Sequence, residues 1–119
     1  MKKTVPLYSL DSLSTQQIGT VAVKLAEEAT HTIAFTLDED LKPIFKKGSV
    51  FIVDTDLHAE NDTLVAAKVH GHHKILIRKF YSEGNKKTLK AFDDSAAIIL
   101  MPTMQYQILG VVIQVNAKT

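Results

Sequence analysis

Short apolar runs separated by turn residues constrain the fold of this chain more than any other feature. From residue 32 onward, polar or glycine-containing turns recur about every ten residues, a spacing typical of small β domains. We predict six strands, at residues 33–37, 48–54, 63–69, 73–81, 88–92 and 106–115. Alternation within the fourth run sends Ile77 and Lys79 to one face and Arg78 and Phe80 to the other. The turns at residues 70–72 and 82–87 predict hairpins, so the fold class is mostly β, with short antiparallel strands and hairpins.

The first thirty residues have a weaker pattern than the rest of the chain. The opening apolar pieces are interrupted by proline, aspartate and serine residues, which is typical of an arm. Between residues 14 and 29, Ile18 and other apolar residues share one helical face, whereas Gly19 and several β-branched residues disfavour a helix. We predict an N-terminal arm with a short helix or an irregular segment over residues 1–30, and a β domain over residues 31–119.

The composition is that of an ordinary globular protein. The 119 residues carry a formal net charge of +1 and include no cysteine. A chain of this length forms one domain, and its near-zero charge gives no general attraction to nucleic acid. The lack of cysteine excludes a disulfide framework, a thiol nucleophile and cysteine-bound zinc. No apolar run approaches the ~20 residues that span a bilayer, so we expect no membrane association and a cytoplasmic location.

The segment D-E-D-L-K-P-I-F-K-K-G at residues 38–48 carries a resemblance to a known family. It resembles the nucleophile loop of the LexA/lambda-repressor family of self-cleaving regulators, which usually reads G-D-S-M-x-P-x-x-x-x-G-D. Pro43 and Gly48 match that pattern, and Leu41 stands in for the methionine. Other stretches are similar to family motifs in the same order: V-P-L-Y-S at 5–9, G-S-V-F-I-V-D at 48–54, N-D-T-L-V-A-A at 61–67, I-R-K-F at 77–80 and Y-Q-I-L-G-V-V at 106–112. The resemblance implies the β-fold that LexA shares with signal peptidases.

The resemblance also implies a Ser–Lys dyad, from which this chain departs. In the family, a buried lysine loses its proton and then accepts the proton of the attacking serine. Here Asp40 stands at the serine position and Arg78 at the lysine position, and a guanidinium cannot be deprotonated at any useful pH. Leu13 and Ser14 stand where the family has the Ala-Gly bond that is cut. We therefore expect no catalysis, and either an Asp40–Arg78 salt bridge in the old cleft or two solvent-facing side chains.

The terminal strand is more apolar than a half-exposed edge strand should be. Two interpretations are open: a central strand that is buried on both sides, or a strand that a second subunit covers. Because family members commonly dimerise through this region, the resemblance implies a homodimer. The expected interface residues lie at alternate positions of the strand: Tyr106, Ile108, Gly110, Val112 and Gln114.

For function, the resemblance implies a non-catalytic dimerisation and regulatory domain of a phage-type transcriptional repressor. DNA would be bound only through a separate N-terminal helix-turn-helix domain, because this sequence shows no basic recognition helix. One alternative is a stand-alone protein-interaction factor, either an antirepressor or an accessory factor of the DNA-damage (SOS) response, that binds a regulatory protein. The other alternative is a serine self-peptidase with a rearranged dyad, which would use Ser49 with Lys47 or Lys79.

The histidine cluster H-G-H-H at residues 70–73 is the strongest candidate for a metal site. Neutral imidazoles suit Zn²⁺, Ni²⁺ or Cu²⁺, but neighbouring side chains in a strand point to opposite faces, which opposes convergent ligands. The acidic residues at 38–40 and 93–94 fit solvated turns better than a Mg²⁺ or Ca²⁺ site. We therefore expect neither a metal nor another cofactor.

Overall fold

The computed structural model describes residues 2–9, 17–24, 31–37, 45–72, 74–91, 97–101 and 105–118. Over these residues all regular secondary structure is β: β1 (Lys2–Ser9), β2 (Gly19–Lys24), β3 (Thr32–Thr36), β4 (Val50–Asp54), β5 (Thr63–Val69), β6 (Leu76–Glu83), β7 (Lys86–Lys90), β8 (Ile98–Leu100) and β9 (Tyr106–Asn116). The predicted mostly β class is confirmed. Within these ranges, no helix has the length and apolar character that crossing a membrane requires.

The nine strands form one mixed sheet in the order β2-β1-β3-β4-β9-β5-β6-β7-β8. Strands β1 and β3 are parallel, and every other neighbouring pair is antiparallel. The two predicted hairpins join β5 to β6 and β6 to β7, with Gly71 and Gly84 in their turns at φ angles of 91° and 59°. L side chains rarely adopt this left-handed backbone conformation, so the turns fall at glycines.

The N-terminal segment is part of the sheet. Strand β1 pairs with β2 along one edge and with β3 along the other. The prediction of a short helix or an irregular segment within residues 1–30 is wrong for residues 19–24, which form β2, while residues 14–16 and 25–29 lie outside the described ranges. The strand is favoured because its β-branched residues suit extended backbone and because β1 supplies its hydrogen-bond partners. The division of the chain at residue 30 stays a prediction.

Side chains alternate across the sheet, and both faces are buried over much of its area. We call the face that carries Ala66 and Ile77 the first face; its core cluster consists of Phe35, Leu37, Phe51, Val53, Ala66, Ile75 and Ile77. The second face carries Val65 and Phe80; its main cluster consists of Val65, Ala67, Val69, Phe80, Leu89, Leu100 and Val111. Odd-numbered residues of β6 therefore lie on the first face, and even-numbered residues lie on the second face.

Candidate functional site

Arg78, which the sequence resemblance places at the family's general-base position, lies in β6. It pairs in register with Val65 of β5, so its side chain projects from the second face. The side chain is half-buried, and its Nη1 atom is buried without a hydrogen-bond partner among the described residues. An unsatisfied buried donor costs free energy, so the position suits a carboxylate or another anion. It does not suit a base, because the guanidinium keeps its proton.

Backbone hydrogen bonds join the described residues on either side of the segment that resembles the nucleophile loop. Leu37 donates its N–H to the carbonyl of Ser49 at 3.0 Å, and Gly48 donates its N–H to the carbonyl of Leu37 at 2.9 Å. Gly48, which matches the family pattern, has a φ angle of 92°, a conformation that favours glycine. These bonds close the base of the loop between β3 and β4.

Three of the expected site residues fall outside the described ranges. In the sequence, Asp40 lies between Leu37 and Phe45, and Leu13 and Ser14 lie between β1 and β2. The Asp40–Arg78 ion pair and the cleavage position therefore stay predictions.

Ser49 has a structural role at the start of β4. It is fully buried, and its Oγ accepts a hydrogen bond from the backbone N–H of Lys118 at 3.0 Å. Lys79 lies in β6, three strands from β4 in the sheet, which is about 14 Å at ordinary strand spacing. Its Nζ lies 3.3 Å from Oδ1 of Asp62, and Lys47 is exposed to solvent. The structure does not bring Ser49 and Lys79 together.

The expected dimer residues lie on a strand that is central in the sheet. Strand β9 pairs with β4 along one edge and with β5 along the other, so it is central in the sheet, as the first interpretation has it. Its burial on both sides is only partial, because most of its side chains are half-buried. Register shifts leave Leu109 and Ile113 without directly opposed partners, and Ile113 is 37% exposed. The five expected residues differ in exposure: Gly110 is buried, and Tyr106, Ile108, Val112 and Gln114 are half-buried. Coverage of this strand by a second subunit stays a prediction.

A polar network on the first face was not predicted from the sequence. Tyr81 donates its hydroxyl hydrogen to Oδ1 of Asp62 at 2.8 Å, close to the Lys79 ammonium. In β7, Nζ of Lys90 lies 4.7 Å from the centre of the Tyr81 ring. The hydrogen bond from Tyr81, followed by the contact with Lys79, lowers the pKa of Asp62, and the same hydrogen bond raises the pKa of Tyr81. The pair Asn61-Asp62 was the available signal, since both residue types tolerate the left-handed backbone that Asp62 adopts at a φ of 66°.

The histidines are dispersed over the described part of the chain. Nδ1 of His31 contacts Oδ2 of Asp56 in an exposed ion pair beside β3. His70 is exposed and His72 is half-buried, and His73 lies outside the described ranges. No group of three histidine, aspartate or glutamate residues among those described could hold a metal ion.

Over the described residues the fold defines a class: an all-β domain built on one mixed sheet. The family model described as Peptidase S24-like matches residues 4–113, which is most of the chain. The chain therefore belongs to the Peptidase S24-like family, and the resemblance to the C-terminal domains of LexA and the phage repressors is confirmed at that level. A comparison with curated proteins found no match.

Proposed function

We propose that this domain is a non-catalytic dimerisation and regulatory module of a phage-type transcriptional repressor, in which a separate helix-turn-helix domain reads the DNA. Membership of the Peptidase S24-like family supports the regulatory class. The single observation that carries the loss of catalysis is Arg78, a half-buried guanidinium at the position where the family needs a neutral lysine.

Asp40 is the proposed partner of Arg78. By sequence it stands at the nucleophile position, where a carboxylate is a poor substitute for an alkoxide in amide cleavage. The buried Nη1 of Arg78 lacks an acceptor among the described residues, and a charge-assisted bond from a carboxylate would supply one. In this proposal, an ion pair between Asp40 and Arg78 replaces the Ser–Lys dyad of the family and stabilises the cleft.

A double-mutant cycle tests this pair. We expect Asp40→Ala and Arg78→Met to be coupled by about 1.5–3 kcal/mol in the free energy of unfolding, the range for a hydrogen bond to a charged group. Lys79→Met is the matched control, because Lys79 neighbours Arg78 but projects from the opposite face. A coupling below about 0.5 kcal/mol, or equal coupling of Asp40 to Lys79, contradicts the ion pair.

The rearranged dyad is the competing proposal, and the geometry of Ser49 argues against it. A nucleophilic serine needs an accessible Oγ and a base within hydrogen-bond reach. Ser49 is instead fully buried, and its Oγ accepts the Lys118 N–H. Lys79 lies in β6, three strands away, where its Nζ contacts Asp62.

Alkaline incubation separates the two proposals. At about pH 10, where a lysine base begins to lose its proton, we expect intact-mass spectrometry to show one species and no product cut between Leu13 and Ser14. Lys47→Arg and Ser49→Ala serve as paired controls. A specific internal cut that Ser49→Ala abolishes would overturn the non-catalytic assignment.

Dimerisation is the second part of the proposal. Because both edges of β9 are paired within the chain, a partner would contact the strand through its exposed side chains, of which Ile113 is the largest apolar one. We expect light scattering after gel filtration to give twice the chain mass of 13.2 kDa. Ile113→Lys should weaken the dimer at least tenfold, whereas Leu57→Lys, an equally apolar exposed position outside β9, should not. A monomer at hundreds of micromolar would refute this part.

A further inference from the structure

The first face of the sheet is covered near β4 and β9 but opens into a groove over β6, β7 and β8. The groove has a volume of about 510 Å³. Its central row consists of Tyr81, Thr88 and Ile99, which the strand register places side by side. The opposite side of the same strands is buried through Phe80, Leu89 and Leu100, so the groove floor has a fixed position. Ala97 and Glu83 lie at its two ends.

Two lysines flank the central row. Lys86 and Lys90 are two residues on either side of Thr88 in β7, so their Cα atoms lie about 13 Å apart on the same face. Lys86 is exposed and has no ion-pair partner among the described residues. The Lys90 ammonium lies over the Tyr81 ring, which orients it while leaving its N–H donors available to a ligand.

Apolar side chains continue the groove on its outer side. Ile99 is 45% exposed on β8, and Met101, which follows that strand, is 52% exposed. A large apolar side chain on an outer strand of a sheet is a common contact for a docked segment. The groove thus combines two cations with an apolar wall.

A peptide fits this combination better than a nucleic acid does. Single-stranded nucleic acid needs an aromatic face for base stacking, but Lys90 covers the Tyr81 ring, and the Tyr81 hydroxyl donates a hydrogen bond to Asp62.

We propose that the groove binds an extended segment of a partner protein that presents carboxylates to Lys86 and Lys90 and an apolar side chain to Ile99. This docking surface goes beyond the proposed role in assembly, because it lies on the face opposite Arg78 and needs neither a dimer nor a dyad.

Fluorescence anisotropy tests the proposal with a labelled eight-residue peptide that carries aspartate at positions 2 and 6 and leucine at position 4, three side chains that share one face of an extended backbone. We expect saturable binding that weakens as salt is added, because the pairs are exposed. Lys86→Glu and Lys90→Glu should each weaken binding at least threefold and together about tenfold, in line with exposed charge pairs. Ile99→Ser should weaken it as well. Lys87→Glu is the matched control, since Lys87 lies on the same strand but faces the other side; it should change binding less than twofold.

Three outcomes would overturn the proposal. The first is an absence of saturable peptide binding at millimolar concentration, and the second is equal weakening by Lys87→Glu. The third is tighter binding of a single-stranded oligonucleotide that Lys86→Glu abolishes, which would make the groove a nucleic-acid site. Thermal unfolding of each variant verifies that the fold is intact. Self-cleavage and dimer mass are measured separately from peptide binding. A negative peptide-binding result therefore does not contradict the proposed function, and a failure of the proposed function does not contradict the groove.

Discussion

Gly110 gives the sharpest stability prediction, because replacing it with alanine forces a collision that the backbone cannot avoid. A Cβ at this position would lie 2.5 Å from the carbonyl oxygen of Asp54 and 2.8 Å from Cγ1 of Val53. The oxygen belongs to β4, which pairs with β9, so relief requires the two central strands to separate. Overpacking of this kind costs about 3 kcal/mol, at the upper end of the usual range because the obstacle is backbone. The alanine regains up to about 1 kcal/mol of strand propensity, so we expect a net loss of about 2 kcal/mol.

Thermal unfolding followed by circular dichroism measures this loss. For a chain of this length, about 2 kcal/mol lowers Tm by roughly 8 °C. Gly19→Ala is the matched control, since nothing lies within 4 Å of a Cβ there and its backbone conformation is ordinary; its effect should be at most about 0.5 kcal/mol. If Gly110→Ala unfolds at the wild-type temperature, or no lower than Gly19→Ala, the close approach of β4 and β9 is wrong.

Three further predictions follow from single contacts. Leu89→Ala should cost about 2–5 kcal/mol in urea unfolding, because Leu89 is fully buried, whereas Ile99→Ala on the neighbouring strand should cost under about 1 kcal/mol. Ser49→Ala should cost about 1 kcal/mol through loss of the Lys118 hydrogen bond, and no loss would deny that bond. Tyr81→Phe should raise the pKa of Asp62 in an NMR titration. The folded pKa of Asp62 lies below its unfolded pKa, so the stabilisation from this carboxylate is present above the unfolded pKa and is lost as the pH falls through the folded pKa. Tyr81→Phe should therefore make the free energy of unfolding depend less on pH in the acid range. An unchanged pKa of Asp62 in the variant would contradict the hydrogen bond.

The strands that the sequence predicts are those with a strong local pattern. Strand β5 was predicted to the residue, and β9 to within one residue, because long apolar runs end at clear turn signals. Strand β8 was missed, because three residues are too few to display an alternation. Strands β1 and β2 were missed because Pro6 and Gly19 are poor strand residues, and the non-local pairing of β1 with both β2 and β3 compensates for them.

For the candidate site, the sequence predicts which face of the sheet a side chain takes, because this follows from alternation along one strand. It misses contacts that depend on how two distant strands pair. The opposite orientations of Ile77 and Arg78 follow from alternation along one strand and agree with the structure. The contact between Asp62 and Tyr81 instead depends on how β5 pairs with β6, which places a turn residue beside a strand residue 19 positions later. The close approach of Gly110 to Asp54 likewise appears only once two strands far apart in sequence are packed.

The alternation of side chains along β6 also explains why Lys79, the neighbour of Arg78, cannot replace the missing base. Lys79 would reach the second face only if β6 slipped by one residue against β5, and such a slip reverses the direction of every side chain in the strand. Phe80 and Ile77, which are 5% and 4% exposed, would then leave their cores. Each loses about 2 kcal/mol of burial, which together is a large part of the 5–15 kcal/mol that stabilises an ordinary domain. The slip would also break the contact of Lys79 with Asp62. Under the proposed loss of catalysis, recovery of a base therefore requires a substitution at residue 78 itself, because the fold holds the lysine at residue 79 on the other face.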